Sequence, residues 1–249
     1  MKIVALNGSS RKKFTYNLIK SVADILEKHQ VDIEIINLFE YDIKECIGCE
    51  KCILTDECVF KDDAKLIMEK MIQADGIIVA SPVYLQNVSG KLKTFIDRTC
   101  KWFHRPEVYG KPILMLATTK GSGLKNTLKY LEKVTTQWGA INAGTIGRTV
   151  RTVNEPASVE ECEKMINYLE SPKHTYEPTL ESLINFQVQK VLSDHMIKRD
   201  NEYWKDKDWY DKLYYFDCKV NSINKFITTQ FYKMFHKKLN SNKKFKSLG

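Results

Sequence analysis

No stretch of this 249-residue chain approaches the roughly 20 uninterrupted apolar residues that span a bilayer, and even Gly76 to Val83 has only the length of a strand. Met1 to Asn7 lacks the basic start, long apolar run and cleavage signal of a secretory peptide, so the N terminus reads as mature structure and the expected location is cytoplasmic. The Walker spacing that couples a phosphate cradle to Mg²⁺-linked hydrolysis is absent, and so is the glycine spacing of a dinucleotide crevice. No internal repeat is present. Nor is there a paired-helix turn, zinc-finger spacing or homeodomain pattern, so nucleic acid is not an expected partner.

What is present supports a folded domain, with 43% apolar residues available for a core. The net charge of +8 is unevenly spread: Lys190 to Gly249 holds fourteen Lys and Arg against seven Asp and Glu, leaving the preceding residues near neutral. Solvated helix faces account for such a tail, as does attraction to an anionic surface. Four of the seven cysteines fall between Cys46 and Cys58, whereas Cys100, Cys162 and Cys218 stand apart and read as isolated interior residues. A disulfide scaffold spreads its pairs to close separate loops. Local clustering points instead to metal or redox chemistry under reducing conditions.

Short apolar runs alternate with helical periodicity. Strands are expected at Lys2 to Leu6, Val31 to Leu38, Gly76 to Ser81, Pro112 to Thr118 and Ile141 to Gly147. Between them, Leu18, Val22, Ile25 and Leu26 mark one helix face, and Ala64, Ile67, Met68, Met71 and Ile72 another, led in by Asp62 and Asp63. One helix is expected over Ser89 to Phe103, one from the Gly121-Ser122-Gly123 turn through Val134, and one carrying Cys162, Met165, Ile166 and Leu169. Repeated strand–helix units imply a parallel sheet covered on both faces, its loop mouths at the strand C-terminal ends. Pro172 and Pro178 bracket a boundary that divides the chain into 1–171 and an extension, 172–249. The extension reads as two helices, around Leu180 to Leu192 and Ile223 to Phe235, flanking an aromatic and charged segment at Tyr203 to Tyr210.

Three strand-end loops carry candidate binding groups. In the first, helix-start amides, the hydroxyls of Ser9, Ser10 and Thr15 and the guanidinium of Arg11 can surround one phosphate, although a plain capped strand-to-helix turn also fits. In the second, Pro82 stiffens the exit from its strand, Tyr84 offers an aromatic surface and Asn87 polar contacts for a flat ring; an aromatic beside Pro and Val is also common packing. In the third, Gly121 and Gly123 permit close backbone approach, and Thr118 and Thr119 offer hydrogen bonds.

The run Asn7-Gly8-Ser9-Ser10-Arg11, taken with Ser81-Pro82-Val83-Tyr84-Leu85-Gln86-Asn87-Val88-Ser89-Gly90, resembles the NAD(P)H-dependent FMN reductase and iron–sulfur flavoprotein branch of flavodoxin-like proteins, over about Met1 to Leu169. The resemblance implies an α/β, flavodoxin-like three-layer fold with a central five-stranded parallel sheet, followed here by a mainly helical C-terminal extension. It also implies FMN, with Ser9, Arg11 and Thr15 as phosphate contacts and Ser10 and Asn17 as additions; the opening loop is one residue shorter than a common form of the family pattern. Pro82, Val83, Tyr84, Leu85 and Asn87 would then approach the isoalloxazine, with Thr118, Thr119, Gly121 and Gly123 forming the other wall.

Cys46, Cys49, Cys52 and Cys58 form a C-x2-C-x2-C-x5-C run. Four soft ligands on a short turn suit a [4Fe–4S] cluster or zinc, and thiols without metal fit the spacing as well. By resemblance to iron–sulfur flavoproteins, these four are the cluster ligands. The implied activity is electron transfer from NAD(P)H through FMN to a quinone, flavin or protein acceptor; the alternative is an electron carrier or redox sensor. No general acid or covalent nucleophile is expected. Tyr84 and Trp102 are expected at the open ring face, and His104 reads more readily as a satisfied histidine than as a proton donor. A homodimer is expected, with Tyr203, Trp204, Trp209 and Tyr210 as contact candidates. Ser222 to Leu239 has the apolar spacing and lysines of a membrane-surface helix, although packing is the commoner use of such a face.

Overall fold

A computed structural model describes residues 1–241; the last eight residues of the expected extension, 242–249, lie outside the described residues. Five parallel strands form one sheet: β1 (Lys2–Asn7), β2 (Asp32–Asn37), β3 (Gly76–Pro82), β4 (Pro112–Thr118) and β5 (Ile141–Arg148), in the order β2-β1-β3-β4-β5. The interior strands read as near-continuous apolar runs because both faces are covered. Ile3 and Ala5 pack, with Ile78, Ala80, Leu114 and Leu116, against α1 (Phe14–Leu26) and α7 (Val159–Glu170). Val4 and Leu6 face the other way, with Ile77, Val79, Ile113 and Met115, onto α3 (Ala64–Gln73), α4 (Gly90–Arg98) and α6 (Leu124–Gln137). The short α2 (Lys51–Thr55) lies within the cysteine-rich connection, and α5 (Lys101–His104) follows α4.

The helix expected over Ser89 to Phe103 is in fact two. Thr99 Oγ1 donates back to the Ile96 carbonyl at 2.7 Å, competing with the regular ladder, and the chain turns there before α5. The turn sets Cys100 and Arg105 toward the cysteine segment.

Among its described residues the extension contains three α-helices, α8 (Leu180–His195), α9 (Lys198–Asp206) and α10 (Ser222–Ser241), so the aromatic segment is partly helical. None of the helices is long and apolar enough to cross a membrane, among the described residues. Trp204 and Trp209 are buried within this chain, with Phe186, Tyr214 and Tyr215, over Ile141 of the sheet. Trp204 Nε1 donates to the His104 carbonyl at 2.8 Å, and Tyr203 donates its hydroxyl to the Pro106 carbonyl at 2.8 Å. Trp204 and Trp209 are therefore corrected from dimer contacts to core residues; their large apolar surfaces are already covered. Along α10, Thr228 and Leu239 are buried, while Ile223, Phe226 and Met234 remain exposed.

Candidate functional site

The strand order reverses between β1 and β3, which opens a crevice above their C-terminal ends. Register then brings the three candidate loops together. Asn7 pairs with Ala80, and Pro82 with Thr118. Gly8 donates its amide to the Ala80 carbonyl at 2.8 Å, and Ser89, which caps α4, donates its hydroxyl to the Gly8 carbonyl at 2.6 Å. A Cβ on Gly8 would lie 3.0 Å from Ala80 O, Leu92 Cβ and Ser89 Oγ, so the close approach of first and second loops requires glycine.

The resulting cleft, about 660 Å³ including its open mouth, is lined by Ser9, Arg11, Thr15, Pro82, Val83, Tyr84, Thr118 and Thr119 from the expected set. Lys13, Phe14, Lys120 and Val153 also line it. The lysines were legible as neighbours in basic loops, but nothing local marks Val153, which arrives from beyond β5. Trp102 does not border this cleft. It is fully buried and meets Trp138 edge-on at 5.3 Å, so its expected place at the ring face is corrected to the core.

At the cleft floor, helix α1 begins without a side-chain cap and without an acidic residue in its first turn. Helices α4, α7 and α8, by contrast, are capped by Ser89, Ser158 and Thr179. An uncapped N terminus leaves amides and a partial positive charge directed outward. The Arg11 guanidinium, at the same opening, makes no hydrogen bond or ion pair among the described residues. Thr15 Oγ1 and Thr118 Oγ1 are 2.7 Å apart, tying the phosphate-loop helix to the third loop. This donor set fits a phosphate.

The side walls are fixed by unusual backbone. Leu85 and Gln86 both have positive φ, 44° and 71°, in a tight turn closed by reciprocal Tyr84–Asn87 backbone bonds of 2.8 and 3.1 Å. Neither residue is the glycine or asparagine such a turn favours, so conformational strain is stored at the rim. Gln86 links the second and third loops, donating to Ser122 Oγ at 2.7 Å and accepting from Asn126 at 3.0 Å. Gly123, at φ 93°, sits so near that an added Cβ would be 2.8 Å from Gln86 Cα. Leu85 is fully exposed, Ser10 and Asn17 are exposed, and Asn87 and Gly121 shape their turns; these five, like Gly123, stand outside the cleft lining.

A second pocket, also about 660 Å³, gathers Cys46, Cys49, Cys52 and Cys58 with Arg98 and Cys100. Cys100 is thus a fifth thiol of the site, not an isolated interior residue: its sulfur is 3.5 Å from that of Cys52. Their hydrogen bond draws the Cys52 thiol down to about 6 and, with burial, pushes the Cys100 thiol up. The nearly buried Arg98 donates to Cys58 Sγ at 3.2 Å and to both Asp62 oxygens at 2.5 and 3.0 Å. Burial opposes ionisation of Asp62, but the Arg98 guanidinium and the backbone amides of Lys44 and Ala64 together outweigh it and hold that carboxyl below the usual range. Arg105 donates to the Cys52 and Ile53 carbonyls at 3.0 and 2.8 Å, satisfying the open end of α2. Four clustered thiols lining one pocket are a donor set that fits an iron–sulfur cluster or a zinc ion.

A parallel 2-1-3-4-5 sheet with a phosphate-fitting cleft at its switch point defines a flavodoxin-like protein. The chain belongs to the NADPH-dependent FMN reductase family, which its residues 1–155 match. An iron–sulfur flavoprotein of Archaeoglobus fulgidus is 30% identical over 218 residues, covering 83% of this chain and 99% of that one. An iron–sulfur flavoprotein of Clostridioides difficile is 26% identical over 221 residues, covering 82% and 95%. Among solved structures, RosB with a bound formylriboflavin-5′-phosphate intermediate superposes with a TM-score of 0.52 at 13% identity, over 89% of this chain and 92% of that one. That likeness shows the fold, including a counterpart to most of the chain's length.

Proposed function

We propose that this chain is an FMN-dependent oxidoreductase that passes electrons from NAD(P)H to a quinone, flavin or protein acceptor, with Cys46, Cys49, Cys52 and Cys58 holding a [4Fe–4S] cluster. The observation that carries the reading is the uncapped, cation-flanked start of α1 opening into the same cleft as the loops after β3 and β4. When bound, FMN supplies acceptance of an electron pair and its return as single electrons, and the cluster supplies one-electron carriage. In this arrangement the α1 amides and Arg11 bind the phosphate, while Ser9 and Thr15 add hydroxyls. The Pro82–Tyr84 edge and the Thr118–Thr119 edge orient a flat ring between them, and half-exposed Tyr84 limits water at the open face.

The test is an anaerobic absorbance spectrum of the purified protein before and after NADH or NADPH. Flavin bands, broad iron–sulfur absorbance and bleaching over many turnovers support the proposal. A folded sample, supplied with FMN, that never retains it overturns it. A second reading, an electron carrier or redox sensor, is favoured by the five thiols around one pocket. Rapid flavin reduction by a low-potential protein donor, with no response to either nicotinamide, would select that reading.

A further inference from the structure

Facing ends of α8 and α10 bring together three groups that neither pocket uses. Asp194 and His195 close α8, and His236 comes from the last third of α10. One ligand atom from each lies within 4.8 Å of the other two. His236 Nε2 is 3.4 Å from Asp194 Oδ2, His195 Nε2 is 4.0 Å from that same oxygen, and the two imidazole centroids are 4.8 Å apart.

Hydrogen bonding accounts for the His236–Asp194 contact at 3.4 Å but not for His195. A separation of 4.0 Å is no hydrogen bond. His195 Nε2 is buried with no partner among the described residues, although buried polar atoms are usually satisfied. Zinc bonded at about 2.0–2.1 Å to nitrogen and oxygen holds tetrahedral neighbours roughly 3.4 Å apart. The His236–Asp194 separation already has that value, the His195–Asp194 separation needs a contraction of about 0.6 Å, and the two imidazole nitrogens, within 4.8 Å of each other, must close by up to about 1.4 Å.

The surroundings orient the same atoms. Asn201, from α9, donates to Asp194 Oδ1 at 3.2 Å and leaves Oδ2 facing the imidazoles. The Asn240 side-chain nitrogen Nδ2 lies 3.1 Å from His236 Nδ1, and turning the amide over exchanges it for the oxygen. With its oxygen turned toward the ring it accepts Nδ1–H and leaves the Nε2 lone pair free, as outer partners of ligating histidines do. Two imidazoles and one carboxylate suit a first-row divalent ion such as zinc over magnesium or calcium.

We propose that Asp194, His195 and His236 form a divalent transition-metal site, with water completing the coordination, that fastens α10 to α8. It is separate from the clustered cysteines and independent of the flavin reading.

The test uses the full chain as purified, dialysed against Zn²⁺, with metal counted by mass spectrometry in the wild type, His236→Gln and Asp194→Asn. The wild type is expected to retain one more zinc per chain than either variant, with iron content and flavin absorbance unchanged. Co²⁺ in place of zinc should give visible ligand-field bands, lost in both variants, without sulfur-to-cobalt charge transfer. Equal zinc in all three proteins, or cobalt bands of sulfur origin alone, overturns the site. Should the substitutions unfold α10, the wild type alone decides: zinc is expected to slow tryptic cleavage after Lys233, Lys237 and Lys238 several-fold, and unchanged cleavage rejects the proposal.

Discussion

Arg105 and Asp200 meet as a nearly water-free ion pair, joining the end of α5 to the extension helix α9. The same guanidinium holds Asp56 at 3.0 Å and the carbonyls of Cys52 and Ile53, while Asp200 also takes His104 Nδ1 at 2.8 Å. The cysteine segment and the extension are therefore fastened through Arg105, and Arg199 of α9 adds a second tie to Asp56 at 2.5 Å.

Removing Asp200 leaves the buried Arg105 guanidinium with only the partly exposed Asp56 as counter-charge. Asp200→Asn is expected to destabilise the protein by about 3 kcal/mol, read from urea unfolding. Alkylation of Cys52 in the native protein should also become faster, because α2 loses part of its anchor. Unaltered unfolding would show that the pair carries no net stability.

Arg11→Ala is expected to weaken FMN binding by roughly ten- to a hundredfold, in line with the ~1.5–3 kcal/mol of a charge-assisted hydrogen bond. Riboflavin, which lacks the phosphate, should bind both proteins alike. Quenching of flavin fluorescence measures both constants, and equal losses for the two ligands would place Arg11 away from the phosphate.

Gly123→Ala puts a Cβ on a residue at φ 93°, 2.8 Å from the Gln86 backbone. A cost of about 1–2 kcal/mol from the left-handed conformation alone is expected. The contact should also part the second and third loops, so FMN affinity falls along with thermal stability. Ligand-stabilised melting curves report both effects.

Glu161 accepts from the Arg148 guanidinium at 2.8 and 2.7 Å and closes the capping box of α7. The Arg148 hydrogen bonds hold its carboxyl below the ordinary value of 4.5. A depressed folded-state value means the contribution is fully present above about pH 4.5 and is lost as pH falls through the folded value. Wild type should therefore exceed Glu161→Gln in melting temperature at neutral pH, and the gap should close on acidification below pH 4.5. A gap that is constant with pH would assign the effect to packing.

Much of the fold was legible because strand composition and helix periodicity are local. Ile3 and Ala5 opposite Val4 and Leu6 already imply two covered faces, and Gly8 and Ser89 stood inside the motifs that the loops carry. Trp204 and Trp209 show where such reading stops. An aromatic in a charged segment has the same local sequence whether it meets a second copy or its own sheet, and only the return of α9 over Ile141 decides.

The amino-acid order by itself determined the alternating elements, the three glycine- and hydroxyl-bearing strand ends and the thiol spacing, since each depends on residues a few positions apart. Tertiary structure alone decided that Cys100 joins Cys52, that Arg98 reaches Cys58, and that His236 arrives beside Asp194 and His195. Those partners are separated by about 40 or more positions, and no local periodicity encodes a meeting that chain folding must first bring about.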